Sequence, residues 1–167
     1  MTPNPVSGGV MAENVRNSVA TAGLGPGTLI HTLHGDRMIE TLTPGDRVLT
    51  PGAGSVRLDA ITRTVAPTRS LCRIAPDALS DSRSGRRAGP VITSHRQILL
   101  VAGWLSRAMF GRDQALVPVS AMVDGDLVHH MTLNTEIPLF QLHFRRPTLF
   151  RAGGLYMLGT PHRKHAH

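Results

Sequence analysis

The single cysteine of this chain is its most reactive residue type, because a thiolate is both a strong nucleophile and a metal ligand. Cys72 lies in Ser70–Ile74, a segment that alternates like a β-strand and places Cys72 and Ile74 on one face. This apolar setting predicts a small buried side chain, and the alternative is a displaced nucleophile. One cysteine alone excludes an internal disulfide and a cysteine-based zinc cluster.

Two groups of histidines could in principle hold a metal ion. One is the terminal PHRKHAH with His162, His165 and His167, and the other is the pair His129 and His130. Adjacent residues of a strand point to opposite faces, so the pair cannot converge on one ion. The tail is expected to be solvated and to bind nickel or copper only adventitiously. We therefore assign no metal and no cofactor.

The elements that must position these residues are predicted to be short β-strands. Thr28–Leu33 alternates in polarity, and Arg37–Glu40 is expected to return as its hairpin partner after a turn at 34–36. A second turn, at 43–46 with its Pro-Gly pair, precedes a short strand over Arg47–Thr50. Strands punctuated at such short intervals predict an all-β domain.

The rest of the chain continues this pattern. Gly103–Phe110 is expected to form a short helix that Gly111 ends, and 77–90 reads as an exposed loop. A hairpin or tight turn at 124–126 is expected to join the strands on either side. The further predicted strands are Ser55–Ala66, Val91–His95 with Ile98–Val101, Ala115–Val119, Leu127–Leu133, Ile137–Phe144, Thr148–Ala152 and Leu155–Leu158.

The run from Gly27 to Thr50, GTLIHTLHGDRMIETLTPGDRVLT, resembles the Hint superfamily, the hedgehog and intein autoprocessing fold, and in particular its bacterial stand-alone branch. The resemblance implies a compact all-β fold of short strands and hairpins, with two related halves and at most one or two short helices. Its recognisable feature is a Gly-Asp pair followed by alternating valine and threonine. The matching positions are Gly27, Thr28, Ile30, Thr32, Gly35, Arg37, Ile39, Glu40, Leu42, Gly45, Asp46, Val48 and Thr50.

Gly23 stands where the resemblance places the processing nucleophile. In the family a cysteine, or sometimes a serine, attacks the preceding backbone carbonyl and converts an amide into a more labile (thio)ester. Glycine has no side chain to do this. Thr21 and Thr28 lie nearby but not at the aligned position, so an N–O shift from either of them is the alternative.

His95 aligns with the histidine that, in the family, protonates the leaving nitrogen of the scissile amide. The family places a threonine or serine three residues earlier, where this chain has Ile92. Thr93 is one place off and would point to the other face of a strand. The resemblance therefore gives His95 as the candidate acid, expected to be vestigial, and predicts that it lies near Gly23.

The late segment 139–154 departs from the family pattern in several places. The family's Asp-Arg-His is replaced here by Arg145-Arg146-Pro147, and its asparagine by Gly153. A terminal His-Asn dipeptide is also missing, and splicing is therefore not expected.

The charge of this chain suggests a nucleic-acid binder, but its distribution does not. The formal net charge is +7, and all but one of the 18 basic residues are arginines scattered along the chain. Only 4% of residues are aromatic, so stacking platforms for bases are scarce. We expect a solvated basic surface with weak, nonspecific affinity for polyanions and no specific nucleic-acid site.

The sequence predicts a flexible leader over 1–22, a Hint-like domain over 23–160 and a His-rich basic tail over 161–167. It contains no segment typical of a signal peptide or a membrane span, so a cytoplasmic location is the default expectation. The leading functional hypothesis is a binding or accessory module that has lost processing. The sequence does not identify its partners, and other domains of related secreted proteins are the candidates. The alternatives are residual self-cleavage with His95 as acid, and nonspecific polyanion binding.

Overall fold

The computed structural model describes residues 22–52, 54–75, 90–124, 128–132 and 135–161. Most of the predicted leader, nearly all of the loop at 77–90, part of the turn at 124–126 and most of the tail at 161–167 lie outside these residues. So does Thr21.

The described residues form short β-strands and one α-helix, which confirms the all-β prediction. Helix α1 spans Gly103–Phe110 and ends at Gly111, whose φ of 71° is left-handed, as its sequence predicted. The strands are β1 (Leu29–Thr32), β2 (Gly35–Met38), β3 (Arg47–Leu49), β4 (Ser55–Arg57), β5 (Ala60–Pro67), β6 (Leu71–Ile74), β7 (Val91–Ser94), β8 (Ile98–Ala102), β9 (Gln114–Pro118), β10 (Val128–His130), β11 (Glu136–His143), β12 (Thr148–Ala152) and β13 (Leu155–Gly159).

The residues of the Gly27–Thr50 run hold its turns together. The Glu40 carboxylate accepts the Gly27 amide at 2.7 Å, and Asp46 Oδ2 accepts the Thr43 amide at 2.8 Å. Thr32 Oγ1 donates to the Gly35 carbonyl at 2.6 Å. The amides of Gly27 and Thr43 lie outside the strands, and the Thr32 bond adds a side-chain contact at the hairpin turn, so these residues have structural roles.

The first hairpin differs from its prediction by one position. Thr32 pairs with Gly35, so the turn is Leu33-His34 rather than 34–36. The Thr32 hydroxyl causes the shift, because it also accepts the His34 amide at 3.1 Å and closes the turn early. The returning strand accordingly ends at Met38, and a 3-10 turn over Ile39–Thr41 follows.

The strand predicted over Ser55–Ala66 is two strands that belong to different sheets. The Leu58 amide donates to Asp46, which closes β4 against the first sheet. The next residue, Asp59, donates instead to the His143 carbonyl and starts β5 along β11. An alternating pattern can continue across such a change of sheet, which is why the sequence did not reveal it.

The hairpin predicted around 124–126 is wrong, because β9 and β10 do not pair with each other. The tight-turn alternative agrees with the ends of the segment, since the Asp124 amide donates to the Val128 carbonyl at 3.2 Å. Strand β9 pairs with β8, and β10 pairs with β6. A 3-10 turn over Val119–Met122 follows β9, and the Val119 amide donates to the Gln97 carbonyl. That turn redirects the chain from one sheet to the other.

The strands form three sheets around one core. The largest has the order β4-β3-β1-β12-β13-β8-β9, with β2 added on β1. The second has the order β10-β6-β7, and the third contains β11 and β5. The core between them is mostly aliphatic, with a Phe144–Phe150 ring contact at 5.7 Å between centroids. This agrees with the low aromatic content of the chain.

Candidate functional site

The chain enters the domain as an extra strand between two sheets. Leu24 is buried and forms a bridge with Thr93 of β7 on one side and with Phe140 of β11 on the other. The Leu24 amide donates to Phe140 at 2.9 Å, and the Phe140 amide donates back at 2.8 Å. On the other side the Gly25 amide donates to Ile92 at 2.7 Å. The segment around Gly23 therefore joins the second and third sheets into one continuous layer.

Gly23 is buried and tightly held in this layer. Its carbonyl oxygen accepts the Ser94 amide at 2.9 Å. A Cβ placed on Gly23 would lie 3.0 Å from Leu139 Cβ and 3.3 Å from the Phe140 carbonyl oxygen. These distances are shorter than ordinary van der Waals contacts, and the φ of 156° is one that residues with a side chain seldom adopt. Gly23 thus offers no reactive side chain, and the surrounding residues leave little space for one.

His95 follows directly after Ser94, so the structure places it beside the strand position that binds Gly23. Its ring Nδ1 lies 2.7 Å from the Ser70 carbonyl oxygen, which can only accept a hydrogen bond. Nδ1 must therefore carry the proton. Nε2 accepts Arg96 Nε at 3.3 Å, which fits the neutral Nδ1–H tautomer. The ring proton of His95 is directed at Ser70 and not at a scissile amide.

Thr93 is close to this segment but does not orient His95. It is fully buried and shares a face with Leu24, because directly paired residues of neighbouring strands point the same way. Its Oγ1 has no hydrogen-bond partner among the described residues. Ile92, three positions before His95, instead packs against the backbone of Gly25, where a Cβ would lie 3.0 Å from Ile92 Cβ.

The hydroxyl of Thr28 is also engaged. Thr28 is buried, and its Oγ1 donates to the Gly25 carbonyl oxygen at 2.8 Å. An N–O shift would need that oxygen to attack the preceding carbonyl, of Gly27, with a base to take its proton. The Thr28 hydroxyl proton instead forms the hydrogen bond to Gly25, which closes the loop before β1.

Cys72 is separated from the Gly23 segment by an entire strand. It lies on β6, and β7 stands between β6 and Leu24. Because strands are spaced by about 4.8 Å, two such steps place the Cys72 backbone about 10 Å from the entering segment. The side chain is fully buried, as predicted, with Sγ 3.7 Å from His130 Nδ1. Burial raises the pKa of the Cys72 thiol, which keeps it protonated and unreactive.

The residues of the late segment that depart from the family pattern lie in two connections between strands. Arg145, Arg146 and Pro147 are exposed in the connection between β11 and β12. Gly153 turns the β12–β13 hairpin with a φ of 58°, and a Cβ there would lie 2.5 Å from Val91 Cγ2. The asparagine expected by family resemblance would therefore clash at this position.

His143 is a buried histidine that the sequence did not single out. Its Nε2 lies 2.9 Å from Thr62 Oγ1 and its Nδ1 lies 3.3 Å from the Thr160 carbonyl oxygen. The carbonyl again requires a proton on Nδ1, so the Thr62 hydroxyl donates to Nε2. His143 thereby links β11, β5 and the end of β13. Nothing in the sequence indicated this role. Nothing indicated a role for Ser70 or Ser94 either, because both act through main-chain groups.

The described residues contain no group of three or more His, Cys, Asp or Glu side chains that could hold a metal ion. His129 and His130 face opposite sides of β10, as expected for neighbours on a strand. Among the described residues, no helix is long and apolar enough to cross a membrane.

Solved structures with this fold include several inteins. The gp41-1 intein superposes with a TM-score of 0.52 at 11% identity, covering 81% of this chain and 97% of that one. The Msm DnaB1 intein splicing domain bound with zinc gives a TM-score of 0.51 at 14% identity, covering 80% of this chain and 98% of that one. A bacterial intein-like domain from Clostridium thermocellum gives 0.50 at 15% identity, covering 83% of this chain and 98% of that one.

At these identities the structural likeness establishes the fold. No curated protein matches the sequence significantly. The sequence itself matches the protein-family description of the Hint domain over residues 22–157, which is most of the chain. The match includes the entering strand, β1 to β12 and most of β13. The chain therefore belongs to the Hint-domain family.

Proposed function

We propose that this Hint domain does not process its own chain and serves as a binding or accessory module. The observation that carries the proposal is the state of Gly23. It has no side chain, it is buried, and its carbonyl is bonded to the Ser94 amide. A residue held in this way contributes to the sheet and cannot start an acyl shift.

Self-cleavage of the family type needs two groups at the scissile amide. A thiol or hydroxyl must attack the carbonyl carbon, and an acid must protonate the nitrogen as its bond to that carbon breaks. Gly23 supplies no attacking atom. The His95 ring directs its proton to Ser70, which supports the view that the acid function has been lost together with the nucleophile.

Residual cleavage through a threonine hydroxyl is the main alternative. The bond from Thr28 to Gly25 counts against it, because the hydroxyl would have to leave a buried hydrogen bond before attacking. No base is bonded to that oxygen among the described residues.

The proposal is tested by the intact mass of the full chain after prolonged incubation with hydroxylamine or dithiothreitol. Either reagent releases the N-terminal segment if an ester or thioester forms at the entering strand. An unchanged mass is expected, and a fragment that ends at Gly27 or at Ala20, the residues that precede Thr28 and Thr21, would overturn the proposal.

Nonspecific polyanion binding is a second candidate, and one arrangement favours it. Arg47 and Arg57 stand directly opposite each other on β3 and β4, and both are exposed. Like charges in this position destabilise a strand pair unless an anion lies between them. Neither arginine forms an ion pair with a carboxylate in the described part of the chain.

A further inference from the structure

Strand β5 is the outer edge of the layer that the entering segment completes. Its eight residues pair along their full length with β11, from Ala60 opposite His143 to Pro67 opposite Glu136. On the other side of β5, the described residues contribute no strand and no backbone hydrogen bond. Within the described part of the chain, this edge is long, regular and unpaired.

The hydrogen bonds of Phe140 show which residues of β5 face outward. The Phe140 amide donates to the Leu24 carbonyl and the Phe140 carbonyl accepts the Leu24 amide, so both groups point away from β5. Bonds alternate along an antiparallel pair, and β11 must therefore reach β5 through Leu139 and Gln141, whose partners are Thr64 and Thr62. The backbone groups of Ile61, Arg63 and Val65 consequently point to the free side.

This edge has few of the features by which proteins prevent strand addition. Such features include lysines, bulges, inward charges and prolines. The sequence AITRTVAP is rich in β-branched residues and contains one charge, Arg63. Pro67 is in phase with the outward residues and blocks only the end of the edge. Val65 is 53% exposed in the middle of the edge.

The side chains beside the edge define the chemistry of a partner. Ile61, Arg63 and Val65 share one face of β5, and Ile61 packs against the core while Arg63 and Val65 are exposed. A strand added here would place alternate side chains opposite these three. The favourable choices are an apolar residue opposite Ile61, a carboxylate opposite Arg63 and an apolar residue opposite Val65.

We propose that the β5 edge binds an extended acidic polypeptide segment by strand addition, with alternate residues in the order apolar, acidic, apolar. The inference deepens the proposed binding role and rests on it. A second copy of this chain is disfavoured as the occupant, because two molecules of net charge +7 repel each other. Domain-sized partners and free peptides would present the same extended segment to the edge.

The test uses the full chain and the fluorescein-labelled probe peptide Thr-Val-Thr-Glu-Thr-Val-Thr, blocked at both ends. Fluorescence anisotropy should show saturable binding, with amide shifts along β5 in heteronuclear NMR. Val65→Pro removes one outward amide without touching the bonds to β11, so binding should weaken by at least about tenfold. Thr64→Ala is the matched control, since it keeps every backbone group and should bind like the parent.

Charge gives a second, independent readout. A probe with lysine in place of the central glutamate should bind the parent more weakly, and Arg63→Glu should reverse that preference. Three outcomes would overturn the proposal: no binding of either probe, equal binding by Val65→Pro, or a dimer in sedimentation velocity that Val65→Pro dissolves. Each is distinguishable from self-cleavage, which would change the mass of the chain and leave peptide binding unaffected.

Discussion

The Ser94 amide donates a hydrogen bond to the Gly23 carbonyl oxygen at 2.9 Å. This bond joins the entering segment to β7 immediately before His95, so the backbones of Gly23 and His95 are near neighbours. That proximity alone does not provide the acyl shift of the family. The first position has no side chain, and the second bonds its ring proton to Ser70. The fold is that of the Hint family, and we propose that its processing chemistry has been lost.

Any side chain at position 23 should destabilise the domain. In Gly23→Ala the new Cβ would meet Leu139 Cβ at 3.0 Å, and the backbone would be strained, so we expect a loss of about 1–3 kcal/mol in the free energy of unfolding. Urea denaturation measures it. In a double-mutant cycle with Leu139→Ala, part of the loss should be recovered. Strict additivity would show that Leu139 does not limit the space.

Gly23→Cys restores a thiol and should still not cleave. The thiol would enter a crowded backbone position with no oriented acid, because Ile92 replaces the expected polar partner of His95. Incubation with dithiothreitol and intact-mass analysis give the result. Cleavage in this variant alone would mean that the rest of the machinery is intact and that glycine is the sole defect.

His95 should be a structural residue whose Nδ1 proton is bonded to Ser70. Long-range ¹⁵N–¹H correlation spectra distinguish the two tautomers directly. His95→Ala should lower stability by about 0.5–1.5 kcal/mol through loss of the bond to Ser70, whereas the exposed His34→Ala should have little effect. A proton found on Nε2 would contradict this description of the site.

Cys72 should resist thiol reagents in the folded protein and react once the chain is unfolded. Its folded pKa lies above the ordinary value because burial penalises the thiolate. The stability contributed by the neutral thiol is thus complete below the unfolded pKa and is lost as pH rises through the folded pKa. In Cys72→Ala this alkaline loss of stability should disappear. Rapid labelling of native protein would refute the buried assignment.

The arginine pair should determine part of the affinity for polyanions. We expect the full chain to be retained on heparin and to elute at moderate salt, as nonspecific electrostatic binding requires. Arg47→Glu should elute at lower salt than a control reversal at Arg107, which already has a carboxylate neighbour in Asp113. If both variants elute at equally reduced salt, heparin binding depends on the net charge of the chain and not on the Arg47–Arg57 pair.

The sequence predicted the first hairpins and the helix because their signals are local. Turn residues such as Gly45 and Gly111 adopt left-handed φ values of 100° and 71°, and such positions can be recognised without tertiary information. The burial of Cys72 could likewise be inferred from alternation along one strand. Each of these features depends on neighbours close in sequence.

The parts that could not be predicted depend on distant main-chain contacts. The predicted strand breaks at Leu58–Asp59 because these two successive amides donate to carbonyls in different parts of the fold. Leu58 donates to Asp46 beside the first sheet, and Asp59 donates to His143 of β11. The engagement of the His95 ring depends on the Ser70 carbonyl, and every residue type carries a carbonyl. No side-chain pattern could therefore have indicated that the candidate acid was already bonded.

The most direct test of the central claim is the intact mass of the unmodified full chain during incubation with hydroxylamine. Mass spectrometry would follow the chain over a time course in folding buffer, with the Cys72→Ala variant alongside to exclude any contribution from the only thiol. We predict one unchanged species throughout in both proteins. Release of a fragment ending at Gly27 or Ala20, together with a new chain beginning at Thr28 or Thr21, would show that this Hint domain still cleaves itself and would contradict its proposed loss of processing.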